Sequence, residues 1–467
     1  MGSDQAVKEW SQEAQYYEGR KFIFLGIAFF FVIAAYTCTR ELKDSIFAFT
    51  VGREYVPYAK FITTLVLVPA ILFYAKLVDS LRRYYLLCFY SALYAILSLV
   101  FAYFLGHPTI GISNTDASPY RLFGWLFYFF IESFSPFVVS VFWAFANSIT
   151  NPESAKKRYG FMVSYSKVGG MFSAALAWCL LCWKTADGAP IFSEIVGHQL
   201  VLYSSAFFLS MIPFVIFYLI KTIPGRFLHG YEAVYQVEKK KSKAGGKDVG
   251  LLDGLKLLIK YPYVMGIFGM VFFYEVVTSV IAYLRLVMAQ SVSSNISGVS
   301  GELFKIIFLT HLVGFFISIF GTANLLKALG ERRCLLLIPG ISGLLILLFI
   351  MTNHSPYALI AAYVGLKSLN YAFSWPVRES LYIPTIKEIK FKSKSWIDAF
   401  GSKFAKSTGG VFIAGGLFDV CSVGAVGALL PMYTFFGGLI GLWLITAYLL
   451  GYRFEKAVEE NEVIGVE

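Results

Sequence analysis

Charge is what this chain has least of. Of its 467 residues only 15% are Asp, Glu, Lys or Arg, against 57% hydrophobic and 18% aromatic. Soluble globular domains carry roughly 25% charged residues, so the composition excludes that class. Carboxylates are the scarcer sign, 29 Asp and Glu facing 40 Lys and Arg, for a net charge of +11. Cysteine is also sparse. The six are Cys38, Cys88, Cys179, Cys182, Cys334 and Cys421, all in or beside apolar runs. Cys179 and Cys182 have no His or further Cys near them to complete a metal site, and read as small packing residues. His311 stands alone on an apolar face and reads as packing too. A phosphate-binding Walker pattern is missing: the only Lys-Ser-Thr, at Lys406, has Ala405 and Phe400 where both glycines belong. We therefore expect no enzyme, no metal and no cofactor. Residues 1–20 are polar and lack both the basic-then-apolar layout of a cleaved signal and the Arg- and Ser-rich character of a transit segment.

What the chain has in abundance is length of apolar run. Twelve runs reach the extent that spans hydrocarbon: 21–39, 57–78, 83–105, 121–149, 159–183, 200–222, 263–290, 303–327, 333–352, 356–378, 397–418 and 430–452. The positive charge could suggest nucleic acid, but its placement argues for a bilayer. Lys76, Arg82 and Arg83 flank one turn, Lys156, Lys157 and Arg158 another, Lys327, Arg332 and Arg333 a third. Lys239, Lys240, Lys241, Lys243 and Lys247 mark the middle of the chain, and Lys387, Lys390, Lys392 and Lys394 a late loop. Between them lie 291–301, 353–356 and 419–431, which carry no Lys or Arg. This alternation is the positive-inside pattern and puts both termini and the central loop in the cytoplasm. The expectation is an all-α membrane protein, a monomer in the bilayer of a bacterial inner membrane, with no nucleic-acid partner.

The chain reads as two halves. Residues 1–222 would form an N-terminal six-helix bundle, 223–260 a Lys-, Gly- and Ser-rich cytoplasmic linker, and 261–467 a C-terminal six-helix bundle. Three echoes join the halves. Asp79 with Arg82-Arg83 matches Glu331 with Arg332-Arg333. Ser166-Lys167-Val168-Gly169-Gly170 matches Lys406-Ser407-Thr408-Gly409-Gly410, where paired glycines let backbones approach closely. Pro136 and Pro376 interrupt the fourth and tenth runs, and interrupted helices at matching positions point to a transport site. Six plus six helices with a cytoplasmic linker is similar to the major facilitator arrangement.

Against this apolar background the stranded charges stand out. A cation at bilayer depth costs about 2.5–3.5 kcal/mol, so several of them imply a wet, inward-facing cavity. Arg40 and Lys43 share a helix face, as do Lys403 and Lys406. The alternatives are a solvated helix end with Asp44 paired to Arg40, and a snorkelling belt at Lys403. Lys167 either pairs with Glu132 or meets ligand directly. Arg378 offers a bidentate fork for phosphate, and Glu379 beside it points about 100° away. Arg285 and Glu275 are candidates for gating pairs. Trp143, Phe145 and Tyr382 offer ring faces for stacking, and Asn147 a polar edge. Surplus positive charge suits a polyanion.

Three patches carry a family resemblance. Arg40-Glu41-Leu42-Lys43-Asp44-Ser45 is one. Phe142-Trp143-Ala144-Phe145-Ala146-Asn147-Ser148-Ile149-Thr150, followed by Glu153, Ala155 and Arg158-Tyr159, is another. The most specific is Arg378-Glu379-Ser380-Leu381-Tyr382-Ile383-Pro384 with Glu388-Ile389-Lys390, Lys394, Asp398 and Gly401 to Gly409. The chain thus resembles the ATP/ADP translocases, nucleotide transporters of plastids and of bacteria that live inside host cells. The resemblance implies twelve helices and exchange of nucleotide without hydrolysis, with Lys43, Glu132 and Lys406 at positions important for transport. Tyr274-Glu275-Val276-Val277 departs from the family's Ile-Glu-Gly-Leu-Trp-like stretch. That departure keeps two alternatives in view: carriage of another polyphosphorylated anion such as an inositol polyphosphate, and a proton-coupled mode. A receptor that binds anionic lipid through its basic loops, without transport, is the reading from a different class.

Overall fold

The computed structural model describes residues 2–80, 83–150, 152–228, 251–386, 389, 393–415 and 426–465. Cys421, Lys387, Lys390, Lys392 and the Lys239–Lys247 cluster lie outside the described residues.

Nearly everything described is helical, as a chain must be when its backbone amides cannot turn to water. The long helices, in chain order, are α1 (Gly2–Phe47), α2 (Val56–Ser80), α3 (Arg83–Leu105), α4 (Leu122–Phe134), α5 (Ser140–Ile149), α6 (Pro152–Cys182) and α7 (Glu194–Thr222). They continue with α8 (Leu251–Lys260), α9 (Pro262–Val292), α10 (Ile296–Phe316), α11 (Thr322–Met351), α12 (Pro356–Leu369), α13 (Trp375–Ser380), α14 (Ser402–Ala414) and α15 (Val426–Glu459). Ser193 and Asn295 cap α7 and α10 by accepting the amides of Val196 and Gly298. Among the described residues nine segments are long and apolar enough to cross a membrane. The first, Glu13–Leu67, runs 55 residues and breaks at Gly52, whose φ of +123° a side chain would resist. Many large apolar side chains on these segments point outward, Phe214, Leu344 and Leu122 among them. A bilayer solvates such faces where water would not.

The prolines act where the sequence placed them. Pro136 lies in a π-helical turn, Ser135–Val139, between α4 and α5, and a second π turn, Asn370–Ser374, stands just ahead of Pro376. A proline cannot donate in the helical ladder, and a widened turn absorbs the missing bond. The expected turn at 328–334 is a break inside α11 at Gly330, φ +72°. One element was not anticipated: 251–260, the end of the expected linker, is the helix α8. Its Leu-rich sequence with Lys256 and Lys260 can bury one side.

Contacts divide the chain into two compact units: Met1–Lys43, Pro69–Thr115 and Leu126–Asp248 form one, and Asp44–Val68, Asp116–Trp125 and Val249–Glu467 the other. In the first unit α7 is fastened to its neighbours by Gln199, which donates to the Ala102 carbonyl of α3 (2.9 Å), and by Ser205, which donates to Ala35 of α1 (3.2 Å). Gly169 lets α6 press on α1: a Cβ there would lie 2.5 Å from the Phe30 carbonyl oxygen. The second unit repeats the device. A Cβ on Gly409 of α14 would come within 3.0 Å of the Val276 carbonyl oxygen of α9. Its core gathers Trp443, Val264, Leu335, Leu381 and Ile397, all fully buried.

Candidate functional site

In the first unit the charged site begins at the last turns of α1. Lys43, 8% exposed, extends to Glu132 near the end of α4, Nζ to Oε1 2.5 Å, and lies 4.7 Å above the Tyr128 ring. Tyr128 and Glu132 are one turn apart, so α4 presents ring and carboxylate on one face to the same ammonium. Arg40, one turn back on α1, is half-buried, with Nε 3.5 Å from Glu41 and its guanidinium over Tyr36. The sequence allowed Glu132 to pair with Lys167; in the structure Lys43 reaches that carboxylate. Lys167 is also buried, midway along α6. Trp143 packs edge-on against Phe29 and Tyr159, and the exposed Asn147 accepts a hydrogen bond from the Tyr159 hydroxyl at 2.5 Å.

The second unit holds a counterpart. Lys406 on α14 lies 3.9 Å from Glu275 on α9, and Lys403, one turn earlier, is half-buried. At 3.9 Å the pair is an ion pair without a close hydrogen bond. Arg285, three turns beyond Glu275, is 1% exposed. Its guanidinium stacks over Tyr363 of α12 at 4.1 Å, and its Nη2 is 3.9 Å from Asp44. Arg285 and Glu275 are thus each matched with another residue rather than with one another.

A third cluster surrounds α13. Glu379 accepts from Lys394 at 2.6 Å, and the Lys394 ammonium sits 5.6 Å from the Tyr382 ring. Arg378 stacks on Trp375 at 5.4 Å, and Arg378, Glu379, Tyr382 and Asp398 line a small recess floored by Ile267 and Val271. Adjacent side chains on a helix diverge, so Arg378 and Glu379 take separate partners.

Sequence reasoning passed over two buried cations, Lys21 and Lys367, and a half-buried one, Lys60. Lys21 pairs with Glu18 and donates to the Ile149 carbonyl (2.9 Å), capping the end of α5. Lys60 donates to Ser279 at 2.9 Å, while Ser407 donates back to the Lys60 carbonyl. Lys367 on α12 is 8% exposed, its ammonium 5.5 Å from the Tyr274 ring. A ring face returns about 0.5–2 kcal/mol, less than the roughly 2.5–3.5 kcal/mol that bilayer-depth charge costs. All three stand inside or at the edge of apolar runs, so the criterion that picked Lys167 applies to them equally.

Long apolar helices with paired ions inside them are those of a polytopic membrane protein, and its fold has solved counterparts. The D-xylose-proton symporter matches with a TM-score of 0.57 at 12% identity over 93% of this chain and 97% of its own. A fucose transporter of the major facilitator superfamily, FucP in its outward conformation, matches at 0.50 and 16% identity over 92% and 98%. The family model described as TLC ATP/ADP transporter matches residues 5–117 and 120–454. The chain belongs to that family. One relative, ADP,ATP carrier protein 1 of Chlamydia pneumoniae, is 26% identical over 496 aligned positions, covering 96% of this chain and 94% of the relative.

Proposed function

We propose that the protein carries nucleotides across a membrane by alternating access, exchanging ATP for ADP or taking nucleotide up, without cleaving it. The observation that carries this is the buried pairing of Lys43 with Glu132, answered by Lys406 with Glu275. A lysine held by a carboxylate inside a span is neutralised at rest and can pass to a phosphate oxygen when substrate arrives. The released carboxylate then becomes the counter-charge that favours emptying. Arg378, Arg40 and Lys167 add donors for the phosphates, with Lys403 at the entrance. Trp143 and Tyr382 supply faces for the base, and Asn147 a polar edge. Arg285 and Glu379 hold neighbouring elements through Asp44 and Lys394.

The family match and the nucleotide named for the relative support the substrate class. The same reading sets twelve spans in two six-helix bundles, 1–222 and 261–467, joined through 223–260. It has the protein act as a monomer in a bacterial inner membrane with both termini cytoplasmic, binding no nucleic acid and performing no catalysis.

Counterflow of labelled ATP and ADP in proteoliposomes tests the reading. Lys43→Ala and Lys406→Ala are expected to lower uptake by at least about a hundredfold, the scale of losing a charge-assisted contact and stranding its partner. Undiminished uptake in both variants would overturn the assignment.

A further inference from the structure

Lys406 is held twice along one face of α9. Its ammonium lies 3.9 Å from the Glu275 carboxylate, and its main-chain carbonyl accepts a hydrogen bond from the Ser279 hydroxyl at 3.2 Å. Glu275 and Ser279 are four residues apart and share a helix face. The lysine therefore lies along one turn of α9, anchored at its backbone by the hydroxyl and at its tip by the carboxylate. Close packing permits this: a Cβ on Gly409 of α14 would stand 2.8 Å from the Ser279 Cβ.

A serine or threonine inside a span can satisfy itself by donating to its own helix one turn back. Thr278, next to Ser279, does so, to the Tyr274 carbonyl at 2.9 Å. Ser279 instead reaches another helix, and Lys60 of α2 directs it there: the Lys60 ammonium donates to the Ser279 hydroxyl oxygen at 2.9 Å. An ammonium can only donate, so the oxygen accepts and the single hydroxyl proton goes onward to the Lys406 carbonyl. A charged donor also polarises the hydroxyl and strengthens the next link. The same stretch of α2 holds α14 one residue further on, where Ser407 donates to the Lys60 carbonyl at 3.3 Å and meets the Thr64 hydroxyl at 2.9 Å. Ser279, Thr64 and Ser407 are all buried, and all these residues belong to the second unit.

We propose that Ser279 is a positioning residue for Lys406: through the main chain it fixes where the ammonium stands once Glu275 releases it, with Lys60 keeping the hydroxyl aimed. This rests on the nucleotide-carrying reading above. When a phosphate draws the ammonium off the carboxylate, one of the two anchors is lost. The hydroxyl on the backbone remains, so the side chain swings from a fixed base. Without it the charge drifts from the phosphate, and the loss falls on nucleotide binding.

The test measures binding of labelled ATP to the detergent-solubilised full chain, as a double-mutant cycle. Ser279→Ala is expected to weaken binding by about fivefold, the scale of one net hydrogen bond. Lys406→Met should weaken it more. The Ser279 hydroxyl holds a main-chain carbonyl, which methionine also has, so the packing there survives that substitution. Adding Ser279→Ala to Lys406→Met is therefore expected to cost nothing further. Ser279→Cys, close in size with a weaker donor, should fall between serine and alanine. An equal loss from Ser279→Ala in both backgrounds, no loss in either, or weaker binding with Cys than with Ala would make Ser279 a packing residue and overturn the proposal. Wild-type protein that binds no nucleotide, or Lys406→Met that binds as the wild type does, would overturn the nucleotide-carrying reading on which it rests.

Discussion

Lys43 and Glu132 form a pair whose contribution to stability can be separated from the role proposed for it in transport. Both side chains are mostly shielded, 10% and 20% exposed. Removing one member of a buried pair strands the other, at a cost of about 3–5 kcal/mol; the part-exposure of Glu132 puts this pair at the low end, about 3. Replacing both with neutral groups of similar shape removes the stranded charge. Glu132→Gln should therefore lower the unfolding temperature of the detergent-solubilised protein, and Lys43→Met with Glu132→Gln should recover most of the loss while remaining inactive in counterflow. A double variant as unstable as the sum of the singles would show that the pair is not a unit. The partnership itself was not legible in the sequence. Lys43 and Glu132 are 89 positions apart, and Lys167 competed for the same carboxylate. Lys367 stands inside the apolar run 356–378 just as Lys167 stands inside 159–183, and a lone lysine in either carries the same physical cost.

At the scale of elements, the end of the chain turns back on the loop after α13. Ile464 donates its amide to Pro384 (2.7 Å), and its carbonyl accepts from Ile386 (3.0 Å), a short parallel bridge beside the Arg378–Tyr382 cluster. Arg453 near the end of α15 clasps Glu462 at 2.6 Å and holds the Glu462 carboxyl below its ordinary 4.5. A group whose folded pKa is depressed contributes above its unfolded value, and the contribution fades as pH falls through the folded pKa. The clasp should thus hold at neutral pH and weaken only in acid below about 4.5. Hydrogen exchange checks this: Ile386 and Ile464 amides should be protected at neutral pH, and Ile464→Pro, which removes the donor, should expose Ile386. Unchanged protection in that variant would show that something else covers the loop. None of this was readable in advance, because a two-residue bridge leaves no periodicity. The long helices and their interruptions were readable. Gly169, Gly409 and Pro136 act where their chemistry confines them, since close approach and a missing amide are local demands. Helix α8 lay hidden in the charge-rich stretch of 223–260, where lysines outweighed a leucine stripe too short to register.

For the whole molecule the open question that charge can decide is orientation. The Arg332–Arg333 turn at Gly330 carries two arginines, and Arg332 pairs with Glu455 at the far end of α15 (2.6 Å). The segments Asn353–Ser355 after α11 and Ser293–Asn295 after α9 have no Lys or Arg. Moving a lysine or arginine across a polarised bilayer costs about 2.3 kcal/mol per 100 mV, so a turn with two of them is held on the side where the chain was made. The proposed orientation would have α11 run outward from the cytoplasm between Glu331 and Met351, α12 return, and α15 end inside with Glu455. Single cysteines read this out with an impermeant maleimide on intact cells. Asn353→Cys and Ser293→Cys should label from outside, whereas Arg333→Cys and Glu455→Cys should label only after permeabilisation. Labelling of the arginine turn in intact cells would invert the whole topology. It would then place the Lys394–Glu379 cluster, on the same side as that turn in this reading, at the outer rather than the inner mouth of the transport path.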